Sequence, residues 1–502
     1  MKVNRSLFSL SNNGDSIIAA VICFVLIQIF SRHSGIGISP DSVTYICASR
    51  NLLAGRGFIS YDQLPVVVFP FAYPFFLSTI TWITHIDPTR FGAILNGVLF
   101  GLMVYAAGAI MNGFNKYSSW YKRILLCCII FCWAFQEVYS YLWTETIFII
   151  QILVFIVVFS KYLRSLKMSW LMTAALISAA ACLTRYAGLF LILTGTTIIF
   201  FNFERPLRKR IYHCFVYGSI SIIAFAFQIV RNLKETGLAT GSREKSNQAL
   251  LATMVNFGDV IRDWLSLPNN DSISIFLTLS VFVIFIVSII LNYRKRNAGY
   301  QFEYLSALTG IIYCGFMILT ATLSRYEEFT NRFLAPMLIP LLWSLSSWIP
   351  PFLEKRRRLI KLIWLLPILF LTAGFINIQL KQDYENYDGV KDAGIPGYTE
   401  DPFVQSEIVQ YIKNNKSYFQ AGSLIYSNAS DAVYFVTGLS AQELPRTYFP
   451  KNVEHYYLET NNYLVWFNDY ENSELPGLQT ILAHKHLTLW KQFPDGAIYF
   501  EK

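Results

Sequence analysis

Long apolar runs separated by short polar segments fill the chain as far as residue 380. Each run approaches the roughly 20 residues that a helix needs to cross a bilayer. Because lipid offers no hydrogen-bond partners to the backbone, each run is predicted to be helical. The pattern predicts eleven transmembrane helices, at residues 16–31, 89–111, 122–136, 141–160, 169–184, 187–203, 211–230, 272–292, 304–322, 333–350 and 359–379.

The pattern changes sharply after Leu380, where Asp, Glu, Asn, Tyr and Gly become frequent. Residues 401–415 have helical spacing that starts with Asp-Pro, and residues 423–438 predict a strand, a turn and a helix. Residues 487–501 predict a hairpin with Asp-Gly at its turn. The predicted fold class is therefore an all-α polytopic membrane domain, residues 1–380, followed by a small extracytoplasmic α/β domain, residues 381–502.

Two segments predict helices that lie on the outer membrane surface. Segment 69–86 is apolar enough to cross, but crossing would move every later basic loop to the wrong side of the membrane. We therefore place it at the interface, within a large first outer loop, residues 32–88. Segment 249–267 is amphipathic and lies in a second outer loop, residues 231–270.

Composition and charge agree with a membrane protein and set its orientation. The chain is 54% hydrophobic and only 15% charged, whereas soluble proteins carry about 25% charged residues. Every second loop is basic, as the positive-inside rule predicts for cytoplasmic loops, so the N-terminus is predicted to be cytoplasmic. The net charge of +9 follows from this topology and requires no nucleic acid, and the style of the sequence indicates a bacterial inner (plasma) membrane. The basic clusters are Lys2/Arg5, Lys116/Lys122/Arg123, Lys161/Arg164/Lys167, Arg205/Arg208/Lys209/Arg210, Arg294/Lys295/Arg296 and Lys355/Arg356/Arg357/Arg358/Lys361.

Two acids on the outer side are candidates for chemistry. Asp41 follows the first span, at the boundary between lipid and water, where it could act on a substrate with a lipid tail and a polar head. Glu145 lies about one turn inside the fourth span. An acid at that depth is costly and is a functional hypothesis by default. The alternative is a helix-end acid that reaches water or a partner arginine.

Arginines also collect on the outer side, against the positive-inside rule. Guanidinium groups bind phosphate well in partly dry sites. The alternative is snorkelling to the interface or pairing with Glu327 and Glu328. As a set, they favour an anionic ligand. They are Arg56, Arg185, Arg231, Arg243, Arg325 and Arg332.

The glycine, cysteine and histidine positions bear on possible phosphate, metal and disulfide sites. Gly55 and Gly57 form either a phosphate-cradling turn or, more simply, the end of a helix that begins near Asp41. The eight cysteines and six histidines have no metal-ligand spacing, so neither a zinc site nor a disulfide framework is predicted. Asp41 and Glu145 together are too few ligands to define a metal site, and a divalent cation stays open as a cofactor.

Five segments carry a resemblance to a known family, and they occur in the family's order. The chain resembles the polytopic GT-C glycosyltransferases, most closely the bacterial members similar to protein O-mannosyltransferases (family 39) and to the aminoarabinose transferase. The segments are PDSVTYICASRNLLAGRGF, PFAYPFFLSTI, WTETIF, TRYAGL and NRFLAPMLIPLL, beginning at residues 40, 70, 143, 184 and 331.

The resemblance implies a membrane glycosyltransferase that takes a sugar from a polyprenyl phosphate on the outer face and passes it to a lipid, glycan or protein acceptor. It implies that Asp41 is the catalytic carboxylate of the first outer loop and Glu145 a second acid near the site. Basic residues would hold the donor phosphate. The best candidates are Arg185 and Arg332, followed by Arg243 and Arg56, and the candidates to line the substrate pocket are Tyr45, Tyr73 and Tyr186.

The expected mechanism is a single displacement that inverts the anomeric carbon, with Asp41 as general base. A transporter or flippase for lipid-linked sugars is the competing class, and a non-catalytic assembly factor is a third. The predicted spans contain few charged residues and no evident inverted repeat, which argues against a carrier.

Overall fold

The computed structural model describes residues 7–114, 118–295, 301–325, 328–346, 348–349, 353, 358–420, 422–470 and 472–501. From the predicted cytoplasmic clusters, Lys2, Arg5, Lys116, Arg296 and Lys355–Arg357 lie outside the described residues. The chain divides into two compact units. The helical unit comprises Met1–Phe30, Val67–Tyr73 and Ala93–Gly389, and the loop–tail unit comprises Ser31–Val66, Pro74–Gly92 and Val390–Lys502.

Helices dominate the described chain up to residue 393, and each predicted span coincides with a helix or, for 122–136, with a pair of helices. They are α1 (Gly14–Phe30), α2 (Pro40–Leu53), α3 (Ala72–Thr84), α4 (Pro88–Met111), α5 (Ser119–Ile130), α6 (Trp133–Ser140), α7 (Glu145–Ser165), α8 (Met168–Thr184), α9 (Leu189–Phe200), α10 (Leu207–Thr236), α11 (Leu250–Trp264), α12 (Asp271–Tyr293), α13 (Gln301–Leu323), α14 (Asn331–Ser346) and α15 (Arg358–Ala393).

The helix lengths make the chain an integral membrane protein. Among the described residues, six helices are long and apolar enough to cross a bilayer: α4, α7, α10, α12, α13 and α15. The pair α5 and α6, bent by 51°, is a seventh if it forms one span, and α1, α8 and α9 are shorter apolar helices. The predicted total of eleven spans stays a prediction.

Small residues and polar contacts bring helices of the helical unit close together, as is usual where lipid removes the hydrophobic drive for association. Gly195 of α9 faces the ring of Tyr217 on α10, and a Cβ on this glycine would lie 2.4 Å from the ring. The Tyr217 hydroxyl donates to the Leu191 carbonyl at 2.8 Å and is 2.7 Å from the Ser178 hydroxyl of α8. One buried tyrosine thus joins three helices.

Both segments predicted to lie on the membrane surface form helices. α3 has 13 residues and is therefore about 20 Å long, which is too short to cross a hydrocarbon core of about 30 Å by itself. α11 packs closely on α12, because a Cβ on Gly258 would lie 1.9 Å from the Ser274 carbonyl oxygen. The location of these helices at the membrane surface stays a prediction.

The predicted α/β character of the tail is confirmed. Its helices are α16 (Asp401–Gln405), α17 (Glu407–Asn414), α18 (Ser430–Thr437), α19 (Pro450–Leu458) and α20 (Leu478–His484), and its strands are β1 (Leu424–Ser427), β2 (Gln442–Glu443), β3 (Asn462–Phe467), β4 (Thr488–Phe493) and β5 (Gly496–Glu501). The sheet order is β2-β1-β3-β5-β4. β1 is parallel to β2 and β3, and β5 is antiparallel to β3 and β4, so the predicted hairpin at residues 487–501 is present.

The first outer loop packs with the tail inside the loop–tail unit. The Tyr398 backbone N–H donates to the Ile38 carbonyl at 2.9 Å. Gly397, with φ +120°, allows this approach, because a Cβ there would lie 2.4 Å from the same oxygen. Gln442 of β2 donates to the Asp62 carbonyl at 2.8 Å. The backbone bond between Tyr398 and Ile38 thus ties the segment just before α2 to the tail.

Candidate functional site

Three helix ends of the helical unit meet at Glu145. Glu145 is the first residue of α7, Arg185 directly follows α8, and Arg332 is the second residue of α14. The helix dipoles favour the acid at the start of α7 and the cation at the end of α8, but they oppose a cation at the start of α14. Arg332 therefore needs another source of stabilisation, which its partner supplies.

One carboxylate serves both arginines. Arg332 Nε donates to Glu145 Oε1 at 2.8 Å, and Arg185 Nη1 pairs with the same oxygen. The Thr144 hydroxyl donates to Glu145 Oε2 at 3.0 Å and accepts from Arg185 Nη1 at 2.9 Å. The Glu145 side chain has no exposed surface, and those of Arg185 and Arg332 are 12% and 13% exposed. The three side chains together carry one net positive charge in a nearly dry place.

Aromatic rings enclose the two guanidinium groups. The guanidinium carbon of Arg332 lies 4.4 Å from the ring centroid of Trp143, which stacks on Tyr141 at 4.4 Å. Phe333 lies 5.5 Å from Arg332 and 5.9 Å from Arg185. Rings in these positions attract the cations and exclude water from them. The guanidinium groups of Arg185 and Arg332 are therefore held in fixed orientations.

A second acid, Glu137, which the sequence analysis did not single out, lies half-buried next to this cluster. Asn331 of α14 donates to Glu137 Oε2 of α6 at 2.6 Å and accepts from Trp264 Nε1 of α11 at 2.7 Å. The charge of Arg332 also acts on Glu137. These contacts fix the first turn of α14. The sequence did contain a signal for Glu137, since this acid stands within an apolar segment, where an acidic residue is unusual.

The segment Val67–Tyr73 belongs to the same unit and brings two predicted pocket residues to this region. The Tyr186 hydroxyl donates to the Val67 carbonyl at 2.7 Å and accepts from Asn232 Nδ2 at 3.0 Å. Tyr73 is fully buried, within electrostatic range of Glu145. Arg243 has an exposed side chain within electrostatic range of Tyr186.

Two other outer arginines have polar partners of their own. Arg325 forms an exposed ion pair at 2.9 Å with Glu244, an acid that the sequence analysis did not name as a partner. Arg231 Nη1 donates to the side-chain oxygen of its neighbour Asn232 at 3.2 Å.

The remaining predicted residues, Asp41, Tyr45 and Arg56, belong to the loop–tail unit. Asp41 is the second residue of α2, which starts with a capping box between Ser39 and Ser42, and its side chain is half-buried. Tyr45 is 1% exposed, and Arg56 is exposed.

The glycines after α2 fit the simpler of their two interpretations. Gly55 has φ +71°, and the Arg56 N–H returns to the Asn51 carbonyl at 2.9 Å. This geometry is typical of a helix C-terminus.

Among the described residues, no group of three or more His, Cys, Asp or Glu side chains could hold a metal ion.

Comparisons with known proteins place this geometry in a known fold. The chain is similar to ArnT from Cupriavidus metallidurans in the apo state (TM-score 0.57, 11% identity, 97% of this chain and 98% of that one). It is also similar to ArnT bound to undecaprenyl phosphate (0.55, 11%, 96% and 96%). A third similar structure is the archaeal oligosaccharyltransferase AglB from Archaeoglobus fulgidus, in complex with an inhibitory peptide and a dolichol-phosphate (0.57, 11%, 97% and 74%).

No family model matches the chain, and no curated protein matches it in sequence. ArnT, an aminoarabinose transferase, and AglB are both GT-C glycosyltransferases. The resemblance predicted from the sequence is therefore confirmed at the level of the fold: this membrane protein has the GT-C fold over nearly its whole length.

Proposed function

We propose that the protein is a membrane glycosyltransferase that moves a sugar from a polyprenyl-phosphate donor to a lipid, glycan or protein acceptor on the extracytoplasmic face. The N-terminus is then cytoplasmic and the tail extracytoplasmic. The observation that carries the proposal is the pair Arg185 and Arg332, gathered on a single buried carboxylate in a GT-C fold. Two of the similar structures hold undecaprenyl phosphate and dolichol-phosphate, which are lipid phosphates of the proposed donor class.

The arginine pair suits a lipid-linked phosphate for electrostatic reasons. The cluster brings two guanidinium groups together on one carboxylate with little exposure to water. A phosphate oxygen that gains negative charge as the sugar departs is stabilised most by fixed donors in a water-poor site. Guanidinium forks, already oriented by Glu145, Thr144 and the aromatic rings, are donors of that kind.

Glu145 then acts as a positioning residue for the two arginines. Both of its oxygens have hydrogen-bond or ion-pair partners, Oε1 the arginines and Oε2 Thr144. An acid engaged in this way orients donors rather than accepting a proton. Its role as a second catalytic acid, expected from the family resemblance, stays a prediction.

Asp41 is the proposed general base. The acceptor oxygen forms a bond to the anomeric carbon as its proton passes to the Asp41 carboxylate. The bond between the anomeric carbon and the phosphate oxygen breaks, and its electron pair leaves with the lipid phosphate. One displacement of this kind inverts the anomeric carbon, and a positioned base contributes about 10²–10⁴-fold to the rate.

The test uses the full chain purified in detergent, with a panel of polyprenyl-phosphate sugars and candidate acceptors, and detects products by mass spectrometry. The wild-type protein should transfer a sugar, and Asp41→Asn should lower the rate by about 10²–10⁴-fold at normal protein level. Asp401→Asn is the matched control, since Asp401 belongs to the same unit and pairs with His33 at 3.0 Å. Undiminished transfer by Asp41→Asn would remove the base assignment.

The transporter alternative gives a different result in vesicles. Translocation of a lipid-linked sugar without transfer by the wild-type protein, unchanged in Asp41→Asn, would favour a flippase over the proposed enzyme. An assembly factor would support neither transfer nor translocation.

A further inference from the structure

The helix of the second outer loop, α11, is joined to the first turn of α14, in which Arg332 lies. Trp264, the last residue of α11, donates from its indole Nε1 to Asn331 Oδ1 at 2.7 Å. Asn331 directly precedes Arg332 and donates in turn to Glu137 Oε2 at 2.6 Å. Trp264 is 4% exposed, so water competes little for its hydrogen bond. The Asn331 side chain is thus held on two sides.

The first turn of a helix depends on contacts of this kind. Its leading backbone N–H groups have no partner within the helix, so the turn frays unless neighbouring groups hold it. Arg332 is the second residue of α14 and therefore lies in that turn. Holding Asn331 in place also holds the stretch of backbone from which the Arg332 side chain extends towards Glu145.

A second contact from α11 reaches the same turn through aromatic rings. Phe257 of α11 packs edge-on against Phe329, with 5.7 Å between ring centroids. Phe329 packs in the same way against Phe333 at 6.4 Å, and the ring centroid of Phe333 lies 5.5 Å from the guanidinium carbon of Arg332. α11 thus supports the start of α14 at two separate points.

α11 is itself fixed within the helical unit, so it can serve as a support. The Trp264 carbonyl accepts from Gln379 Nε2 of α15 at 2.7 Å, and Gln379 Oε1 accepts from the Trp133 backbone N–H of α6 at 3.0 Å. Arg262, which is 8% exposed, donates to the Ser274 hydroxyl of α12 at 3.1 Å. Contacts with three other helices therefore hold the end of α11 that carries Trp264.

We propose that Trp264 is a positioning residue for Arg332 and acts through Asn331. This inference rests on the proposed function, in which Arg332 binds the donor phosphate, and it extends that function by giving the second outer loop a part in the site. Donors stabilise the departing phosphate oxygen best when their geometry is fixed before the reaction. Trp264 supplies part of that fixed geometry.

The first experiment compares Trp264→Phe with Trp343→Phe in the full chain. Both substitutions replace a buried indole with a smaller ring, but Trp343 lies roughly 16 Å along α14 from Arg332. Trp264→Phe should lower kcat/KM for the lipid-linked donor about tenfold, the effect of one lost hydrogen bond. It should raise KM for the donor and leave KM for the acceptor unchanged. Trp343→Phe loosens packing only and should change neither KM.

A double-mutant cycle shows whether Trp264 acts through Arg332. In Arg332→Lys the planar fork is gone, so adding Trp264→Phe should have little further effect on transfer. Additive effects would overturn the role of Trp264, as would wild-type kinetics of Trp264→Phe. If Trp264→Phe lowers the protein level, Asn331→Ala takes its place in the cycle, because it removes the acceptor of the same hydrogen bond.

Binding of a lipid phosphate separates this inference from the proposed function. The probe is undecaprenyl phosphate, and native mass spectrometry of the detergent-purified full chain gives its Kd without requiring catalysis. Arg332→Lys and Trp264→Phe should both weaken binding, whereas Trp343→Phe should bind like the wild type. Wild-type affinity in Arg332→Lys would overturn the phosphate site itself. Weakened binding in Arg332→Lys together with wild-type affinity in Trp264→Phe would overturn only the positioning role.

Discussion

Removal of the shared carboxylate, Glu145→Gln, tests the central feature of the site. The substitution keeps the shape of the side chain but removes the charged group that Arg185 and Arg332 share. Glu145 is fully buried, and the two guanidinium groups are 12% and 13% exposed, so water can solvate them only poorly. They would also repel each other.

The expected cost follows from that burial. Leaving a buried charge unpaired typically destabilises a protein by about 3–5 kcal/mol. Here two charges lose the same partner, so the upper part of that range is expected. The matched control is Glu244→Gln, which breaks the ion pair with Arg325 in the same unit, where the side chains are 30% and 50% exposed. Exposed pairs contribute about 0.2–1 kcal/mol.

The stability of each detergent-purified variant is measured by thermal unfolding and by denaturant unfolding. Glu145→Gln should be several kcal/mol less stable than Glu244→Gln, and transfer should fall with it because the forks lose their orientation. Adding Arg332→Met to Glu145→Gln should recover part of the lost stability, since one uncompensated charge is removed. If Glu145→Gln and Glu244→Gln prove equally stable, the Glu145 carboxylate does not stabilise the two buried arginines as proposed.

Three further predictions test other parts of the structure. Arg332→Lys keeps the charge but loses the planar fork, so transfer should fall by about 10²–10³-fold, and an unchanged rate would exclude Arg332 from the phosphate site. Gly258→Ala forces a Cβ to within 1.9 Å of a carbonyl oxygen of α12, whereas Gly315→Ala meets nothing within 4 Å; the first should lower thermal stability and the second should not. For Asp87, burial alone would raise the pKa, but the hydrogen bonds and charge of Arg50 outweigh it and lower the pKa. The stabilisation is therefore present above the ordinary pKa of Asp87 and is lost as the pH falls through the lowered value, so Arg50→Gln should make acid unfolding begin at higher pH.

The positions of the helices could be predicted from the sequence because their cause is local. A backbone in lipid must satisfy its own hydrogen bonds, so each long apolar run coincides with a helix or a helix pair. The hairpin near the C-terminus was predictable for the same kind of reason, since an Asp-Gly turn between alternating residues specifies it. Recognition of the GT-C fold likewise rested on short segments in a particular order.

The arrangement of the candidate site could not be predicted in this way. Glu145, Arg185 and Arg332 were separate candidates in the sequence, and nothing in their spacing indicated that both arginines share one carboxylate. Glu137 gave even less indication, because an isolated acid has no pattern until its partner is known.

The sequence alone determined which segments form apolar helices and which residue types stand at their ends, since hydrophobicity and charge act on each segment separately. Tertiary structure decided which helix ends meet, and that the first outer loop packs with the tail through Tyr398. Ion pairs and buried hydrogen bonds depend on distances of a few ångströms between residues far apart in the chain, and these distances are set only when the helices pack.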